Sequence, residues 1–310
     1  MIGLNEEEQI GACLDAVKHC VGSAVGKIIY VDSGSADRSM EIARNKGVEV
    51  IEIENTFRSP GFARNIGLEH VKTEYVLFLD GDMILDSDFI VSARTYFTDE
   101  TIACVSGPIR ERYPHKNIYH RGLCVDWTVK EEGTQVTPSG GGLFRVDHLR
   151  MVGGYNYEIP AGEEIDLKNR LVDINLKLVG ISKVMAEHDL DMNSVRDLIA
   201  RAGREGRLQA YALLHPENSS IARYKRLAVK NDIMVLFFII ALVVIVINNM
   251  WTVGGWILLA AVLAFIARFS REIYESHDPY GRLINFGFLY FKKPFQVWAQ
   301  IFYLLKHKKA

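Results

Sequence analysis

The sequence predicts a parallel, doubly wound α/β sheet followed by a helical hairpin. Three observations predict it. Short apolar runs alternate with amphipathic stretches from residue 27 to residue 188, two of those runs end on an aspartate, and residues 233–267 contain no charged side chain. Strand and helix in alternation is the pattern of βαβ units, whose strands pair in parallel under covering helices.

The elements follow in order. Asn5 precedes Glu6, Glu7 and Glu8, and Ile10, Cys13, Leu14 and Val17 recur at helical spacing. Asn5 is therefore the expected N-cap, with the acids in the positive first turn. "KIIYVD" (27–32) reads as a buried strand, "SADRSMEIARNKG" (35–47) as a helix stopped by Gly47, and "VEVIEI" (48–53) as an alternating strand. "GFARNIGLEHV" (61–71) is helical and "EYVLFLD" (74–80) is the next strand. "TIACVSGPI" and "TPSGGGLFRV" read as a strand and as a glycine loop running into a strand. Residues 163–178 form an amphipathic helix, 180–188 a strand, and 194–214 a further helix with Asn193 as its cap.

The 35-residue uncharged run would make a helix of roughly 50 Å, well beyond the roughly 30 Å of a bilayer core. Asn248, Asn249, Gly254 and Gly255 mark a turn near its middle, so two short spans are expected, about 233–249 and 252–268. Arg223, Lys225, Arg226 and Lys230 precede them and Arg268 and Arg271 follow, which places both ends in the cytoplasm. In the tail, Phe295, Trp298, Phe302 and Leu305 share one helical face, as in an interfacial helix, with a third span as the alternative. The expected organisation is a cytoplasmic catalytic domain over 1–215, a basic linker over 216–232, a transmembrane hairpin over 233–269 and a basic aromatic tail over 270–310, with the chain at the cell membrane.

Charge agrees with that division. Residues 1–215 carry 24 Lys and Arg against 33 Asp and Glu, and residues 216–310 carry 12 against 5. The net charge of −2 gives no reason to expect nucleic acid as a partner. The four cysteines, Cys13, Cys20, Cys104 and Cys124, form no C-x-x-C pair and are expected to be reduced core residues.

Ligands of open α/β sheets bind beyond the carboxyl ends of the strands. Asp32 closes one strand and Asp80 another, and Asp82 follows after one glycine, in "YVLFLDGDMIL". Two such carboxylates repel unless a cation joins them, and Mg²⁺ in such a place also holds substrate phosphates. In "VDSGSADRS" (31–39), Asp32 can accept from a base N–H, and Ser33, Gly34 and Ser35 are expected to open a helix toward phosphate or ribose oxygens. Arg64 in "PGFARNIG" can hold a diphosphate. Gly141 and Gly142 in "SGGGLFR" let backbone approach a ligand, and Glu163 and Glu164 open a helix where a carboxylate can take a proton from a hydroxyl. Each motif alone has a plainer reading: an acidic turn, an N-cap, a surface arginine, or helix-start acids favoured by the macrodipole.

Taken in order, these motifs resemble those of the family 2 inverting glycosyltransferases with the nucleotide-diphospho-sugar transferase (GT-A) fold, over most of residues 1–190. The resemblance implies a doubly wound mixed sheet. It places Asp32 on the base, Asp80 and Asp82 at the ribose and metal, "GGGLFR" with Gly141 and Gly142 on the acceptor side beside Glu163, and Glu164 as catalytic base. His188 is a metal ligand in this scheme, or else a structural histidine. Three departures stand out. The family opens with an apolar strand of which only Ile2, Gly3 and Leu4 precede "NE": either the start lies upstream or the sheet lacks most of that strand. Glu164 stands where Asp is usual. The Q-x-x-R-W motif of processive synthases is absent, with "RAGREGR" (201–207) in its region, which implies addition of single sugars; Arg201 and Arg204 are expected to touch phosphates or anionic lipid.

The function so implied is a metal-dependent inverting glycosyltransferase using Mg²⁺ or Mn²⁺, with a nucleotide-sugar donor, expected to be a UDP-sugar, and a lipid-linked acceptor hydroxyl at the bilayer. A polyprenyl-phosphate acceptor, a nucleotidyltransferase and a non-catalytic membrane scaffold are the alternatives.

Overall fold

The computed structural model describes residues 1–20, 27–54, 59–124, 132–133, 135–138, 140–216, 218–247 and 278–307. The chain forms two compact units: Met1–Tyr113 with Trp127–Leu190, and Pro114–Asp126 with Asp191–Ala310. The helix expected over 194–214 lies in the second unit.

The first unit runs β1 (Ile2–Gly3), α1 (Ile10–Cys20), β2 (Ile29–Asp32), α2 (Ser39–Asn45), β3 (Glu49–Glu52), α3 (Pro60–Glu69), β4 (Tyr75–Leu79), β5 (Met83–Leu85), α4 (Phe89–Arg94), β6 (Ile102–Ser106) and β7 (Ile109–Glu111). The chain returns to it with β8 (Gly141–Arg145), α6 (Val146–Met151), α7 (Glu163–Asp173), β9 (Lys177–Gly180) and β10 (Ala186–His188). The second unit contains α5 (Ile118–Leu123), α8 (Val195–Leu214), α9 (Ala222–Ile247), α10 (Pro279–Phe291) and α11 (Lys293–His307).

β1, β2 and β3 pair in parallel, and β4, β8, β6 and β9 form a second set. A parallel bridge between Ile2 and Asp80 joins the sets, giving the order β3-β2-β1-β4-β8-β6-β9. β8 runs antiparallel to both β4 and β6, so the sheet is mixed, as the resemblance implied and simple alternation did not. A separate ribbon, β5-β10-β7, sets His188 opposite Met83.

Local chemistry explains most of these elements. The apolar positions Ile10, Cys13, Leu14 and Val17 are the buried face of α1. Gly47, with φ +66°, ends α2 in a conformation that a β-carbon would strain. Ser59 caps α3 by accepting from the Phe62 amide at 3.3 Å, and Pro60 starts it. Phe89, Val105 and Leu143 lie in the core on one side of the sheet, Phe144, Leu167 and Leu171 in the core on the other. A cavity of about 520 Å³ opens between β2 and β4, where β1 fills only two positions; Ile28, Ile29, Leu77 and Phe78 line it, and the aspartates do not.

Three local expectations need correction. Asn5 does not cap α1: its backbone is left-handed (φ 59°), and its Oδ1 accepts from the Ala36 amide at 2.8 Å, tying the loop to the turn before α2 instead. The helix expected over 163–178 stops at Asp173, because Asn175 turns left-handed (φ 64°) and releases Lys177–Gly180 as a strand. Ser194, not Asn193, caps α8, in a reciprocal capping box with Asp197.

The transmembrane hairpin is not supported among the described residues. α9 carries 15 uncharged residues, Ile233–Ile247, about 22 Å of helix, against a bilayer core of about 30 Å. No helix among the described residues is long and apolar enough to cross a membrane. The expected second span, 252–268, lies outside the described residues. The tail contains two helices, α10 and α11. α10 packs on α5 through a Tyr119–Phe288 stack, an Asn285–Gly122 hydrogen bond of 2.6 Å and a bidentate Arg121–Asp278 pair at 2.8 Å.

Candidate active site

The turn after β4 is built around Gly81. Its amide donates to the Ile2 carbonyl at 2.8 Å, and a β-carbon there would press to 3.0 Å from that same oxygen. A glycine is needed because β1 passes so close, and the turn throws Asp80 and Asp82 to different neighbours.

Asp80 faces Arg64. The guanidinium donates to Asp80 at 2.8 Å, to Glu163 at 3.0 Å and to Glu164 at 3.4 Å, and lies 5.3 Å from the centre of the Tyr155 ring. Arg64 is 2 % exposed. It is therefore neither a surface arginine nor a diphosphate clamp: its charge is spent inside the protein on three carboxylates, and its Nε has no partner among the described residues. Gly61 lets α7 approach α3 this closely, since a β-carbon there would meet Tyr155 and Glu163 at 3.2–3.4 Å. Asn65, which sequence reading passed over, clamps the approach to α7. Its amide group donates to the Tyr155 carbonyl and accepts from the Tyr155 amide, both at 2.8 Å.

α7 begins at Gly162, left-handed at φ 80°, and sets Glu163 and Glu164 in its first turn. Glu163 is buried against Arg64, so it is an internal partner and not an acceptor-side group. Glu164 is partly exposed; burial, then Glu163, push its carboxyl up from 4.5 to about 7 against the pull of Arg64. Burial likewise pushes Asp80 up, opposed by Arg64.

Asp82 faces the other way. His188 Nε2 lies 2.9 Å from Asp82 Oδ2, and Asp82 Oδ1 is buried with no hydrogen-bond partner among the described residues. The adjacent carboxylate raises the His188 pKa against the desolvation of its ring. Glu6, read from sequence as a helix-start acid, joins this side: burial, then Asp82 and Asp80, push it from 4.5 to about 7. Five carboxylates thus share one guanidinium and one imidazole. An orphaned carboxylate oxygen beside an imidazole, in such an excess of negative charge, fits a divalent cation.

The remaining expected contacts are placed differently. Asp32 is fully buried and saturated by its own turn: Oδ1 accepts from the Gly34 and Ser35 amides at 2.9 and 2.6 Å, Oδ2 from the Tyr30 and Ser35 hydroxyls at 3.0 and 2.7 Å. Four donors fill a carboxylate, so Asp32 shapes the turn and has no lone pair left for a base. Ser33 donates its amide to the Gly3 carbonyl at 3.0 Å, and the Ser35 hydroxyl also accepts from the Asn5 amide at 2.8 Å. The helix expected to open at these residues starts only at Ser39. Gly141 and Gly142 are strand residues of β8, and at Gly141 (φ 154°) a β-carbon would overlap the Phe78 carbonyl oxygen. They serve close strand packing and do not line an acceptor site. Gly140, just before them, comes close to an acid, its β-carbon position 3.3 Å from Asp80 Oδ2. Arg201 and Arg204 lie on α8 in the second unit, Arg201 within 4.0 Å of Glu205.

A mixed sheet with carboxylates gathered beyond β4 and at the start of α7 is the architecture of a nucleotide-diphospho-sugar transferase. Residues 1–153 match the family model described as "Glycosyl transferase family 2". Over 208 residues it is 27% identical to the pre-mycofactocin glycosyltransferase of Mycobacterium tuberculosis, covering 63% of this chain and 44% of that protein. Over 194 residues it is 29% identical to glycosyltransferase AglE of Haloferax volcanii, covering 59% and 64%. The chain spans less than two thirds of each relative's length. Among solved structures, the mannosyltransferase PcManGT of Pyrobaculum calidifontis, in complex with GDP-Man and Mn²⁺, superposes with a TM-score of 0.64 at 18% identity, over 99% of this chain and 86% of that one. S. aureus TarS 1-349 with UDP-GlcNAc superposes at 0.50 and 16% identity, over 67% and 64%.

Proposed function

We propose that this glycosyltransferase moves a sugar from a nucleoside diphosphate donor, with a UDP-sugar expected, to a hydroxyl of a membrane-associated, lipid-linked acceptor, inverting the anomeric carbon. The observation that carries the reading is Glu164: a partly exposed carboxyl at about 7, held by Arg64 in the same cluster as Asp80. A base is most effective when its pKa lies near the working pH. Glu164 takes the acceptor proton as the hydroxyl attacks the face of the sugar opposite the diphosphate, and a single displacement inverts. Arg64 and Glu163 are positioning residues that fix the Glu164 carboxylate. Asp82 and His188 would hold a divalent cation, with Asp80 beside them; the oxygen-and-nitrogen donor set suits Mn²⁺ better than Mg²⁺. When bound, that cation offsets the charge of the departing nucleoside diphosphate.

The fold neighbours that hold GDP-Man with Mn²⁺ or UDP-GlcNAc support a nucleotide-sugar donor. A phosphate acceptor is already ionised and needs no base, so Glu164 favours a hydroxyl over a polyprenyl phosphate. The basic residues 223–230 support a place at the cytoplasmic face of the cell membrane, whose anionic lipids attract cations.

The test is a panel of UDP-, GDP- and dTDP-sugars with and without Mn²⁺, followed by thermal shift, by release of the nucleoside diphosphate and by NMR of the product's anomeric proton. Metal-dependent binding and an inverted product are expected. Absence of both binding and turnover across the panel sinks the enzyme reading, and a Glu164→Gln variant with undiminished turnover sinks the base.

A further inference from the structure

One helix of the second unit, α11, is packed inside out. α11 buries Gln296, 1 % exposed, together with Ala299 and Gln300, and turns Trp298, Ile301, Phe302 and Leu305 outward, Trp298 being 68 % exposed. Trp298 and Phe302 stack on each other at 5.9 Å on that outer face. The buried side is polar and carries several side-chain hydrogen bonds, although Asp232 Oδ1 and Gln300 Oε1 have no partner among the described residues. Asn231 Nδ2 donates to Gln209 Oε1 at 3.1 Å and to Gln296 Oε1 at 3.2 Å, Lys292 and Gln296 donate to Glu205, and Gln300 Nε2 donates to Asp232 Oδ2 at 2.9 Å. Ala202, Gly206 and Ala210, four residues apart on α8, are buried, and a β-carbon at Gly206 would overlap the Gln296 carbonyl.

A helix bundle in water turns its apolar stripe to the core. Polar side chains and small residues between helices, with apolar ones outside, are the arrangement that suits a hydrocarbon surround, where packing and hydrogen bonds hold helices together. The charges agree. Arg223, Lys225, Arg226 and Lys230 are exposed at the start of α9, residues 222–231 contain no acid, and the exposed Ile233 and Leu236 follow. Beyond them the sequence stays uncharged to Ala267. Cations beside an outward apolar face complement anionic headgroups lying over acyl chains.

We propose that the outer face of α11 and the first turns of α9 form a docking surface for anionic lipid, with Trp298 and Phe302 at the boundary between headgroups and acyl chains. No residue of this surface belongs to the unit that carries the acids, so the proposal stands or falls apart from the sugar chemistry.

The test uses the full chain with vesicles of phosphatidylcholine and phosphatidylglycerol whose acyl chains are brominated. The Trp298 share of the emission, obtained by subtracting the Trp298→Phe variant, is expected to be quenched by bromine. Arg223→Gln and Lys225→Gln are each expected to weaken partitioning onto these vesicles about fivefold, and to leave partitioning onto phosphatidylcholine alone unchanged. Unquenched Trp298 emission overturns the proposal, whether sedimentation shows a monomer or a second copy covering the face; so does partitioning indifferent to both substitutions.

Discussion

Asp80 and Asp82 are one residue apart and live in opposite circumstances. Asp80 meets a buried, permanently charged guanidinium that two further carboxylates share. Asp82 meets an imidazole whose charge depends on pH, and keeps one oxygen without a partner among the described residues. The first side is a hydrogen-bonded cluster gathered on one buried cation, suited to holding a geometry. The second is incomplete, suited to receiving something. Neighbouring acids in one motif therefore have separable duties, and substitutions should separate them.

The largest expected effect lies on the Arg64 side. Arg64→Met leaves Asp80, Glu163 and Glu164 crowded without their cation, which costs about 3–5 kcal/mol of stability. Urea denaturation measures it, and a loss below about 1 kcal/mol would show that the cluster is not held by this residue. Glu164→Gln comes next: turnover falls about 10²–10⁴-fold while nucleotide-sugar binding, read by thermal shift, persists. A third variant addresses the incomplete side. Asp82→Asn abolishes the stabilisation by Mn²⁺, which for wild type at about a hundredfold excess over Kd is roughly 2.7 kcal/mol, and leaves the protein without metal nearly as stable as wild type. An undiminished Mn²⁺ shift in this variant would move the cation elsewhere.

The smallest effect is a pH dependence. Glu164 has a folded pKa of about 7, above its ordinary 4.5. The folded state therefore holds the proton more tightly, and this contribution to stability is full below about pH 4.5 and lost as pH rises through about 7. Glu164→Gln removes the loss, so at about pH 8 the variant should be more stable than wild type by about 1–3 kcal/mol. The two should converge below pH 4.5. Parallel stability curves across that range would mean that Glu164 is not held in a desolvated place.

Much of the first unit was legible because its signals are local. The apolar spacing of α1, the stop at Gly47 and the run ending at Asp80 depend on neighbours in sequence. What escaped depends on partners far along the chain. The glycines of β8 look like a ligand loop until Phe78 is seen against them, and Arg64 looks like a surface cation until Glu163 and Glu164 arrive from a hundred residues away. Asp32 was read as offering its carboxylate outward, whereas Gly34, Ser35 and Tyr30 fold over it. Asn65 carried a faint signal, an amide side chain directly after the arginine, but its task of holding the Tyr155 backbone is visible only in three dimensions. The second unit differs: the uncharged run from Ile233 suggested a spanning hairpin, and no helix among the described residues is long and apolar enough to cross a membrane.

The ribbon β5-β10-β7 has a mechanical consequence. His188 ends β10 and Glu111 ends β7, and the chain departs for the second unit soon after each, at Pro114 and at Asp191. Whatever grips Asp82 and His188 together also fastens β10 to β5, and with it both exits. Loading the cation site should then slow amide exchange along these three short strands, making the ribbon a latch whose tightness reports whether the site is filled.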